Sequence, residues 1–445
     1  MEMRIDSTKS GNLFDGGVRK TTNLQVQEIA GMFKIVQFPQ KLQPFFEPLR
    51  EQFLWDHFHY FRLFVLLIAF AWGRRNVCSL YRYLDETDQP HRSRFNNFLN
   101  LTRWQPAVVL ALKATELLAQ LSPQPGETVE LILDDSKKRK RGKAMQAVCW
   151  MKDPLTNASM RGHQYVTAVL SFRGYTIPFG VRLYVKKEDC RHSQQPFRKT
   201  TELAAELIRK FQPPQGLHVR VLFDSFYLCP VVVKACRAQG FHFISTLKSN
   251  RNLFRNGRKL KAGAYGRHLF GRSGTTRKTF EIQKEHGSVR YTCVDAGWMK
   301  VSSLGRLHVV FSRKQGEPKI LGLVTDDPKL SARQIITAYD HRWQIEVFFK
   351  DGKQLLGLGH YQNLSSEAAV NHLHLVFLAY ALLTHMAIRD DRSAQGRQKR
   401  SRRRSTADLQ NELRRLVWND LTKHLCHFSS GTEVIKELQR LLVAA

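Results

Sequence analysis

The chain of 445 residues is long enough for two or three domains, and its 42% hydrophobic residues, with 28 Phe among them, exclude a disordered protein. Lys and Arg total 70 against 38 Asp and Glu, and the net charge of +32 favours a polyanionic partner, usually nucleic acid; solubility alone is the weaker alternative. Seven Cys without a CxxC pair argue against a zinc site and a disulfide framework, and they predict a reduced, cytoplasmic protein.

The first 121 residues are predicted to form an N-terminal arm and a helical DNA-binding region. Residues 1–40 are polar and poorly patterned, which indicates a flexible arm, whereas the apolar spacing from Pro44 to Leu121 is helical. The apolar run Leu63–Trp72 is too short to span a bilayer and predicts a buried helix, so no membrane contact is expected.

One stretch of this region, QPHRSRFNNFLNLTRW (Gln89–Trp104), mixes cations and amides with aromatic residues. On a helix, Arg92 and Arg94 would be able to bind phosphates. An exposed, solvated helix face explains the same pattern about equally well, so both interpretations stay open here.

Residues 129–248 have the pattern of an α/β layer with a mixed sheet. VELILDD (Val129–Asp135) predicts a strand that ends in two carboxylates, Asp134 and Asp135. Two further strands and a helix follow, and HVRVLFD (His218–Asp224) predicts a strand that ends in Asp224. Because functional groups gather beyond the carboxyl ends of strands in open α/β sheets, these acids are expected to be neighbours.

Two basic segments accompany this core. The first follows the two acids in a predicted loop, and the second leads into a segment without acidic residues. Both would bind the DNA backbone, although each charge run is also typical of a solvated surface. The first comprises Lys137, Lys138, Arg139, Lys140, Arg141 and Lys143, and the second comprises Lys248, Arg251, Arg255, Arg258, Lys259 and Lys261.

The rest of the chain divides into three predicted parts. Residues 249–328 contain four short strand-like stretches and predict a β-rich insertion. Residues 329–388 return to helical patterns and are expected to complete the core. Residues 389–445 begin with a basic tether and end in an amphipathic helix.

The segment AYDHRWQIEVFFKDGKQLLGLGHYQ (338–362) predicts one helix with an unusual polar stripe. Helical spacing places four polar residues of different chemistry along one side, and predicts that the apolar residues pack on the sheet and on neighbouring parts of the fold. The polar residues are Tyr339, Arg342, Glu346 and Lys353, and the apolar residues are Trp343, Ile345, Val347 and Phe348.

Together, the acids indicate metal-dependent chemistry. Three carboxylates from separate elements need cations in order to coexist, and hard oxygen ligands select Mg²⁺ or Mn²⁺. A pair of such ions suits in-line attack on a phosphodiester, which on a chain of this charge points to DNA cleavage or strand transfer. Taken singly, Asp224 with Ser225 would be explained as a helix cap and Glu346 with Arg342 as an ion pair.

The spacing Tyr-x2-Arg-x3-Glu-x6-Lys in the stripe resembles the signature of bacterial insertion-sequence transposases of the insertion-sequence-four type. These are DDE transposases with a ribonuclease-H-like catalytic core. The order of an Asp after the first core strand (LILDDS), an Asp after the fourth (VLFDSFY) and a Glu in the signature helix is similar as well. The resemblance covers roughly residues 129–388, and such a core interrupted by a β-stranded insertion is the fold it implies.

The resemblance implies a triad of Asp135 (or Asp134), Asp224 and Glu346, with Asp135 preferred because Ser136 follows it. It also implies two Mg²⁺ ions, for which Mn²⁺ would substitute.

For the DNA, the resemblance implies that Arg342 and Lys353 face the backbone and that Tyr339 contacts a phosphate near the transposon end. The strand position where some relatives stack a flipped base on Trp holds Ile320 here. Trp298 is a possible substitute, although a buried core position is the preferred interpretation.

The function implied by the resemblance is a transposase that binds terminal inverted repeats, cleaves the ends and transfers the 3′-hydroxyl strands to target DNA. A homodimeric synapse is expected, with the C-terminal helix as one contact surface. A ribonuclease-H-like nuclease without strand transfer, and an inactive DNA-binding descendant, are the alternatives.

Overall fold

The computed structural model of the chain describes residues 33–85, 91–153, 156–192, 196–284, 287–393 and 404–443. Most of the predicted N-terminal arm and the middle of the basic tether lie outside these residues. The described helices are α1 (Gln43–Phe46), α2 (Trp55–Phe70), α3 (Val77–Tyr81), α4 (Arg92–Asn100), α5 (Pro106–Gln120), α6 (Lys187–His192), α7 (Thr200–Lys210), α8 (Pro230–Ala238), α9 (Ala262–Gly271), α10 (Ala332–Asp340), α11 (Trp343–Gln354), α12 (Ser366–Ser393), α13 (Thr406–Leu425) and α14 (Gly431–Leu441), with 3₁₀ turns at Gln40–Leu42 and Glu47–Gln52.

Twelve described strands form one mixed sheet. The strands are β1 (Thr128–Arg139), β2 (Cys149–Lys152), β3 (Ser159–Phe172), β4 (Tyr175–Leu183), β5 (His218–Phe223), β6 (His242–Leu247), β7 (Asn252–Arg255), β8 (Arg258–Lys261), β9 (Lys278–Lys284), β10 (Gly287–Val301), β11 (Gly305–Lys314) and β12 (Ile320–Thr325). Their order is β2-β3-β1-β5-β6-β12-β11-β10-β7-β8, with β4 paired to β3 and β9 paired to β10.

The core of this sheet has the ribonuclease-H-like arrangement that the sequence predicts. β1, β3 and β4 pair antiparallel, while β5 and β6 add in parallel on the other side of β1. Helices α7 and α8 lie between β4 and β6 in the sequence, as crossover connections require. The predicted fold class, an α/β mixed sheet with helical regions before and after it, is confirmed.

Strand β1 is longer than predicted. It does not end at Asp135 but pairs with β3 from Glu130 opposite Ser171 to Arg139 opposite Gly162, so Lys137–Arg139 are strand residues and not a loop. The close approach of the two backbones at this end requires glycine, because a Cβ on Gly162 would lie 2.2 Å from the Lys138 carbonyl oxygen. Cross-strand pairing thus overrides the polar composition from which a loop was predicted.

The predicted β-rich insertion contains the four expected strands, β9 to β12, together with the hairpin β7–β8 and helix α9. These strands continue the core sheet, because β12 pairs antiparallel with β6 from Gly322 opposite Leu247 to Thr325 opposite Ile244. The insertion and the core are therefore joined by backbone hydrogen bonds within one sheet.

Helix α12 (Ser366–Ser393) connects the N-terminal helices to the sheet. It packs against α2, α5 and β4, and one cluster of buried apolar side chains extends from Ile35 to Val417. By length and composition α12 would be able to cross a membrane, but 94% of its apolar window is buried inside the protein, a pattern that core helices also show.

The predicted single helix over 338–362 is wrong in detail. The structure has two helices, α10 and α11, separated at His341 and Arg342, where the backbone N–H groups bond three residues back instead of four. The break changes which side chains are covered. Ile345 and Phe348 are buried as predicted, but Trp343 is 61% exposed and Val347 is 40% exposed.

Candidate active site

The two sides of β1 meet different elements, and this separates Asp134 from Asp135. Glu130 accepts a hydrogen bond from His341 Nδ1 at 2.8 Å, and Asp134 Oδ2 accepts one from Arg342 Nη1 at 2.9 Å. Because side chains alternate along a strand, the even-numbered residues of β1 face the junction of α10 and α11.

Asp224 lies on the same side as Asp134. Ile132 pairs with Leu222 in the parallel β1–β5 ladder, and continuing that register sets Asp134 level with Asp224. Burial raises the pKa of Asp134 to about 6, and the charges of Asp135 and Asp224 act in the same direction, against the lowering effect of Arg342. The raised pKa of Asp134 therefore reflects mainly its burial.

A tight turn after β5 fixes the orientation of the Asp224 carboxylate. Its Oδ1 accepts hydrogen bonds from the backbone N–H groups of Phe226 at 2.9 Å and of Tyr227 at 3.4 Å. Ser245 Oγ on β6 donates to the Asp224 carbonyl at 3.1 Å. One carboxylate oxygen is thus held by the turn, and Oδ2 has no hydrogen bond to the described residues.

Arg342 joins Glu346 to this group. Its guanidinium donates from Nη1 to Asp134 Oδ2 and from Nη2 to Glu346 Oε1, one turn along α11. The two carboxylates come from β1 and α11, so a single cation holds the signature helix against the strand. The structure therefore brings Asp134 and Glu346 to one guanidinium, with Asp224 level with Asp134.

The other two members of the polar stripe lie beside this group. Burial lowers the pKa of Lys353, and the positive charge of Lys138 lowers it further, while Asp134 opposes the shift. Burial also raises the pKa of Tyr339, whose OH lies 3.5 Å from Thr246 Oγ1. Its ring centroid lies 5.9 Å from the Arg342 guanidinium carbon. Despite the helix break, the stripe stays close to the acids.

Asp135 points to the opposite side of β1. Its Oδ2 accepts a hydrogen bond from Gln164 Nε2 at 2.8 Å, and its Oδ1 accepts one from the buried Tyr227 hydroxyl at 3.3 Å. Burial raises the pKa of Tyr227, and so does the Asp135 charge. The preference for Asp135, based on the following Ser136, thus selected the acid that faces away from Glu346.

Tyr227 and the pair His341–Glu130 were not identified from the sequence. The alternation of Glu130, Ile132 and Asp134 places these three residues on one face of β1, but the sequence does not indicate that this face meets α10 and α11. No sequence pattern indicates that Tyr227 reaches Asp135, because that contact depends on how the turn after Asp224 folds.

The six cations of the first basic segment have different environments. Lys137 Nζ donates to the Lys152 carbonyl at 3.2 Å, and Arg139 pairs with Asp153 at 3.3 Å. Lys140 is buried and donates to the carbonyls of Gly359 at 2.9 Å and Tyr361 at 2.7 Å, so it is not positioned on a DNA-facing surface. Lys138 is half-buried, whereas Arg141 and Lys143 are exposed.

The second basic segment is mainly exposed. Arg251 Nη2 donates to the Leu228 carbonyl at 2.7 Å, and Arg255 donates to the Tyr265 hydroxyl. Lys248 lies 5.9 Å from the Phe226 ring, next to the Asp224 turn. Arg258, Lys259 and Lys261 of this segment are exposed. Arg92 and Arg94 on α4, which were also predicted to bind DNA, are exposed as well.

Trp298 is not a core residue as the sequence suggested. It lies on β10 beside a bulge at Asp295 and Gly297, is 38% exposed, and stacks on His308 with ring centroids 5.6 Å apart. Its position on the insertion leaves part of its indole accessible.

The acids fit a hard divalent cation by chemistry, because all candidate ligands are carboxylate oxygens. In the described conformation, however, the Arg342 guanidinium connects Asp134 and Glu346. Within the described ranges no three His, Cys, Asp or Glu side chains are already arranged around a common metal position. The donor set suits the ion, and Arg342 occupies the space between two of its members.

Comparison with protein families gives a match to residues 198–382 for the family described as "Transposase DDE domain". The matched part includes Asp224 and Glu346 and begins after Asp134. A search of curated proteins found no match. Residues 198–382 are therefore similar to a transposase DDE domain, and the ribonuclease-H-like order of the core strands agrees with this similarity.

Proposed function

We propose that the chain is an insertion-sequence transposase of the insertion-sequence-four type. It binds the terminal inverted repeats of its element, cleaves the DNA at the ends and joins the 3′-hydroxyl strands to target DNA. The observation that carries the proposal is the position of Asp134, Asp224 and Glu346 on one side of the sheet, next to Arg342 and Lys353.

Asp134, Asp224 and Glu346 would hold Mg²⁺, or Mn²⁺ as a substitute, and two ions suit the reaction. When bound, such ions activate a water or a 3′-hydroxyl and stabilise the leaving oxygen. The turn that binds one oxygen of Asp224 keeps this carboxylate oriented, which reduces the cost of ordering it in each reaction cycle.

Arg342 has a double role in this proposal. Without DNA it neutralises Asp134 and Glu346, and with DNA its guanidinium moves to a backbone phosphate, which leaves both carboxylates available. Lys353 and Tyr339, on the same side, would bind neighbouring phosphates near the transposon end. Exposed Arg141 and Lys143 extend this surface, whereas Lys140 is buried and donates to a backbone carbonyl.

Cleavage of a labelled duplex that carries the element end tests the proposal. Asp224→Asn and Glu346→Gln are each expected to retain DNA binding and to reduce the cleavage rate on the order of 10³-fold or more, as is typical when an essential catalytic group is removed. Glu188→Gln changes an exposed acid on α6 and serves as the matched control. Cleavage by either site variant at the rate of the control would disprove the assignment.

Strand transfer needs its own measurement. Pre-cut ends with free 3′-hydroxyls are expected to be joined to a target plasmid by the unaltered protein and not by Asp224→Asn. Cleavage without joining would instead identify a nuclease of the same fold.

The assembly and location follow from the same proposal. Two copies would hold the two ends in one synaptic complex, and the cytoplasm is where the DNA of a bacterial element is found. Part of α13 is already used within the chain, because Gln410 and Arg414 donate to backbone carbonyls at the end of α2. A dimer contact through the C-terminal helices would therefore use their outer faces.

A further inference from the structure

A small basic cavity in the N-terminal helical region is not part of the site described above. Its volume is about 280 Å³, and it lies between the 3₁₀ turn Glu47–Gln52, the start of α2 and the start of α4. The side chains that determine its charge are Arg50, Asp56, His59, Arg62 and Arg94. Three guanidinium groups and an imidazole thus surround a space that contains one carboxylate.

Arg62 is the most fixed of these cations. Its guanidinium carbon lies 4.1 Å from the centroid of the Phe38 ring and 5.6 Å from that of Phe58, so the planar group is held against aromatic faces. Its Nε is buried without a hydrogen-bond partner, and among residues 33–85 and the other described ranges no carboxylate lies within ion-pair distance of it. Burial lowers the pKa of Arg62, the Glu47 charge opposes this shift, and the Arg50 charge adds a smaller lowering effect.

Two further guanidinium groups and the His59 imidazole line the cavity around Arg62. Burial lowers the pKa of His59, and the Arg62 charge acts in the same direction, whereas Asp56 opposes both. Arg50 pairs with Glu47 at 3.4 Å, and Arg94 is exposed at the mouth of the cavity. The three guanidinium groups of Arg50, Arg62 and Arg94 thus line one cavity in which Asp56 is the one carboxylate among the lining residues.

We infer that this cavity binds a phosphate group of the DNA backbone. An immobilised guanidinium presents its N–H groups in a fixed fork that matches two phosphate oxygens, so little side-chain entropy is lost on binding. The size of the cavity accommodates one phosphate group and excludes a base pair. The inference rests on the proposed function, because it takes duplex DNA to be the source of the phosphate.

The position of α4 connects this cavity to the active site. Asn96 Oδ1 accepts a hydrogen bond from Asn363 at 3.4 Å, and Asn100 Oδ1 accepts one from Ser365 at 3.1 Å. Asn363 and Ser365 belong to the segment that follows α11, which carries Glu346. DNA bound at Arg62 and Arg94 would therefore be held by helices that are hydrogen-bonded to the segment following α11.

The test is the salt dependence of duplex binding by the full chain in EDTA, which removes any contribution from metal. For Arg62→Gln we expect roughly five- to tenfold weaker binding at moderate salt and a decrease of about 0.9 in the slope of log Kd against log salt, the value for one lost phosphate contact. Arg209→Gln, an exposed cation on α7, is the matched control and is expected to keep the original slope.

Two further measurements complete the test. Arg94→Gln lies at an exposed position where folding is not affected, so a loss of slope in this variant supports the inference even if Arg62→Gln is unstable. Unchanged slopes in both folded variants would overturn it. The melting temperature in inorganic phosphate is the second measurement. If phosphate raises the melting temperature of the unaltered protein but not of Arg62→Gln, and the salt slope of DNA binding is unchanged, the cavity binds free phosphate. This result would also overturn the inference.

This experiment is independent of the cleavage assay. If Asp224→Asn and Glu346→Gln cleave DNA normally while Arg62→Gln loses a phosphate contact, the proposed function fails and the phosphate site remains. If Asp224→Asn and Glu346→Gln lose cleavage while Arg62→Gln keeps the original salt slope, the proposed function stands and only the phosphate site is disproved.

Discussion

At the residue scale, Lys140 has a different environment from the other cations of its basic segment. It belongs to a run of cations for which the sequence predicted DNA contacts. The structure buries it to 7% exposure, where it donates to two carbonyls and its ammonium lies 3.3 Å from the centroid of the Tyr361 ring. Burial lowers the pKa of Lys140 to about 7. Sequence composition alone does not distinguish such a lysine from its exposed neighbours.

Lys140→Met is expected to leave DNA binding unchanged and to alter the pH dependence of stability. Because the folded pKa near 7 lies below the unfolded value near 10.4, the unfolded chain binds more protons between these values, and stability rises with pH in that window by at most about 1.4 kcal/mol per pH unit. Urea unfolding at pH 7 and pH 9 measures this rise, which the variant should lack.

The exposed Arg141→Gln is the control for Lys140→Met. It is expected to reduce the salt dependence of DNA binding and to leave the pH dependence of unfolding as it is. A loss of salt dependence in Lys140→Met as large as that in Arg141→Gln would show that Lys140 contacts DNA after all.

The acidic residues of the site could be predicted from the sequence, but their orientation could not. Side-chain chemistry and spacing singled out Asp134, Asp135, Asp224 and Glu346 without knowledge of the fold. The choice between Asp134 and Asp135 depends on which face of β1 meets α11, and the motif around the two acids carries no such information. Strand parity settles their faces only once the contact of His341 with Glu130 is known.

At the element scale, the junction of α10 and α11 is the main departure from the predicted helix. Periodicity detects the helical character of both halves but not a local change from four-residue to three-residue hydrogen bonding. His341, at the junction, is held by Glu130 of β1. The break lets Arg342 point at Asp134 while Trp343 stays exposed, so a tertiary contact determines the geometry of the stripe.

His341→Gln is expected to remove a pH-dependent part of the stability of this junction. The hydrogen bond to Glu130 raises the pKa of His341, against the lowering effect of burial, so its stabilising effect is complete below the unfolded value near 6.5 and is lost as the pH rises through the folded pKa. The side chain is 47% exposed, and solvent screening limits the effect to under about 1 kcal/mol. The difference between urea midpoints at pH 6 and pH 9 should become smaller in the variant, and an unchanged difference would contradict this role.

Gly162→Ala is expected to destabilise the protein by about 2–4 kcal/mol, at the upper end for single substitutions. The new Cβ would lie 2.2 Å from the Lys138 carbonyl oxygen, and only a shift of one backbone would relieve this contact. Gly271→Ala, at the end of α9, has no atom within 4 Å of its new Cβ and is the matched control. Chemical unfolding measures both, and equal stability of the two variants would contradict the close pairing of β1 with β3.

At the scale of the whole molecule, the described regions share more structure than their sequence boundaries suggest. Changes of composition at residues 121–129 and 248–249 predicted separate regions. One buried apolar cluster, however, is continuous across both boundaries, and the sheet is continuous across the second. The class of fold followed from local patterns, whereas the packing of α12 against α2 and α5 depends on contacts between residues far apart in the chain.

Thermal unfolding measured by calorimetry is expected to show one main transition without a separate N-terminal transition. Helix α12 packs on both the N-terminal helices and β4, so loss of either partner exposes apolar surface on the other. Phe377→Ala, whose ring packs 4.8 Å from Phe348 of α11, should lower this transition as a whole, at a cost of about 3–5 kcal/mol. Two resolved transitions, of which only one responds to Phe377→Ala, would contradict the shared core.

In the proposed mechanism, the DNA-cleaving acids lie on the side of β1 that faces α11. This placement is tested most directly by comparing Asp134→Asn with Asp135→Asn in cleavage of a labelled element end, with DNA binding and melting temperature measured on the same samples. Asp134→Asn is expected to abolish cleavage, whereas Asp135→Asn, which keeps one oxygen to accept from either Tyr227 or Gln164, is expected to cleave. Normal cleavage by a folded Asp134→Asn, together with an inactive Asp135→Asn, would contradict it.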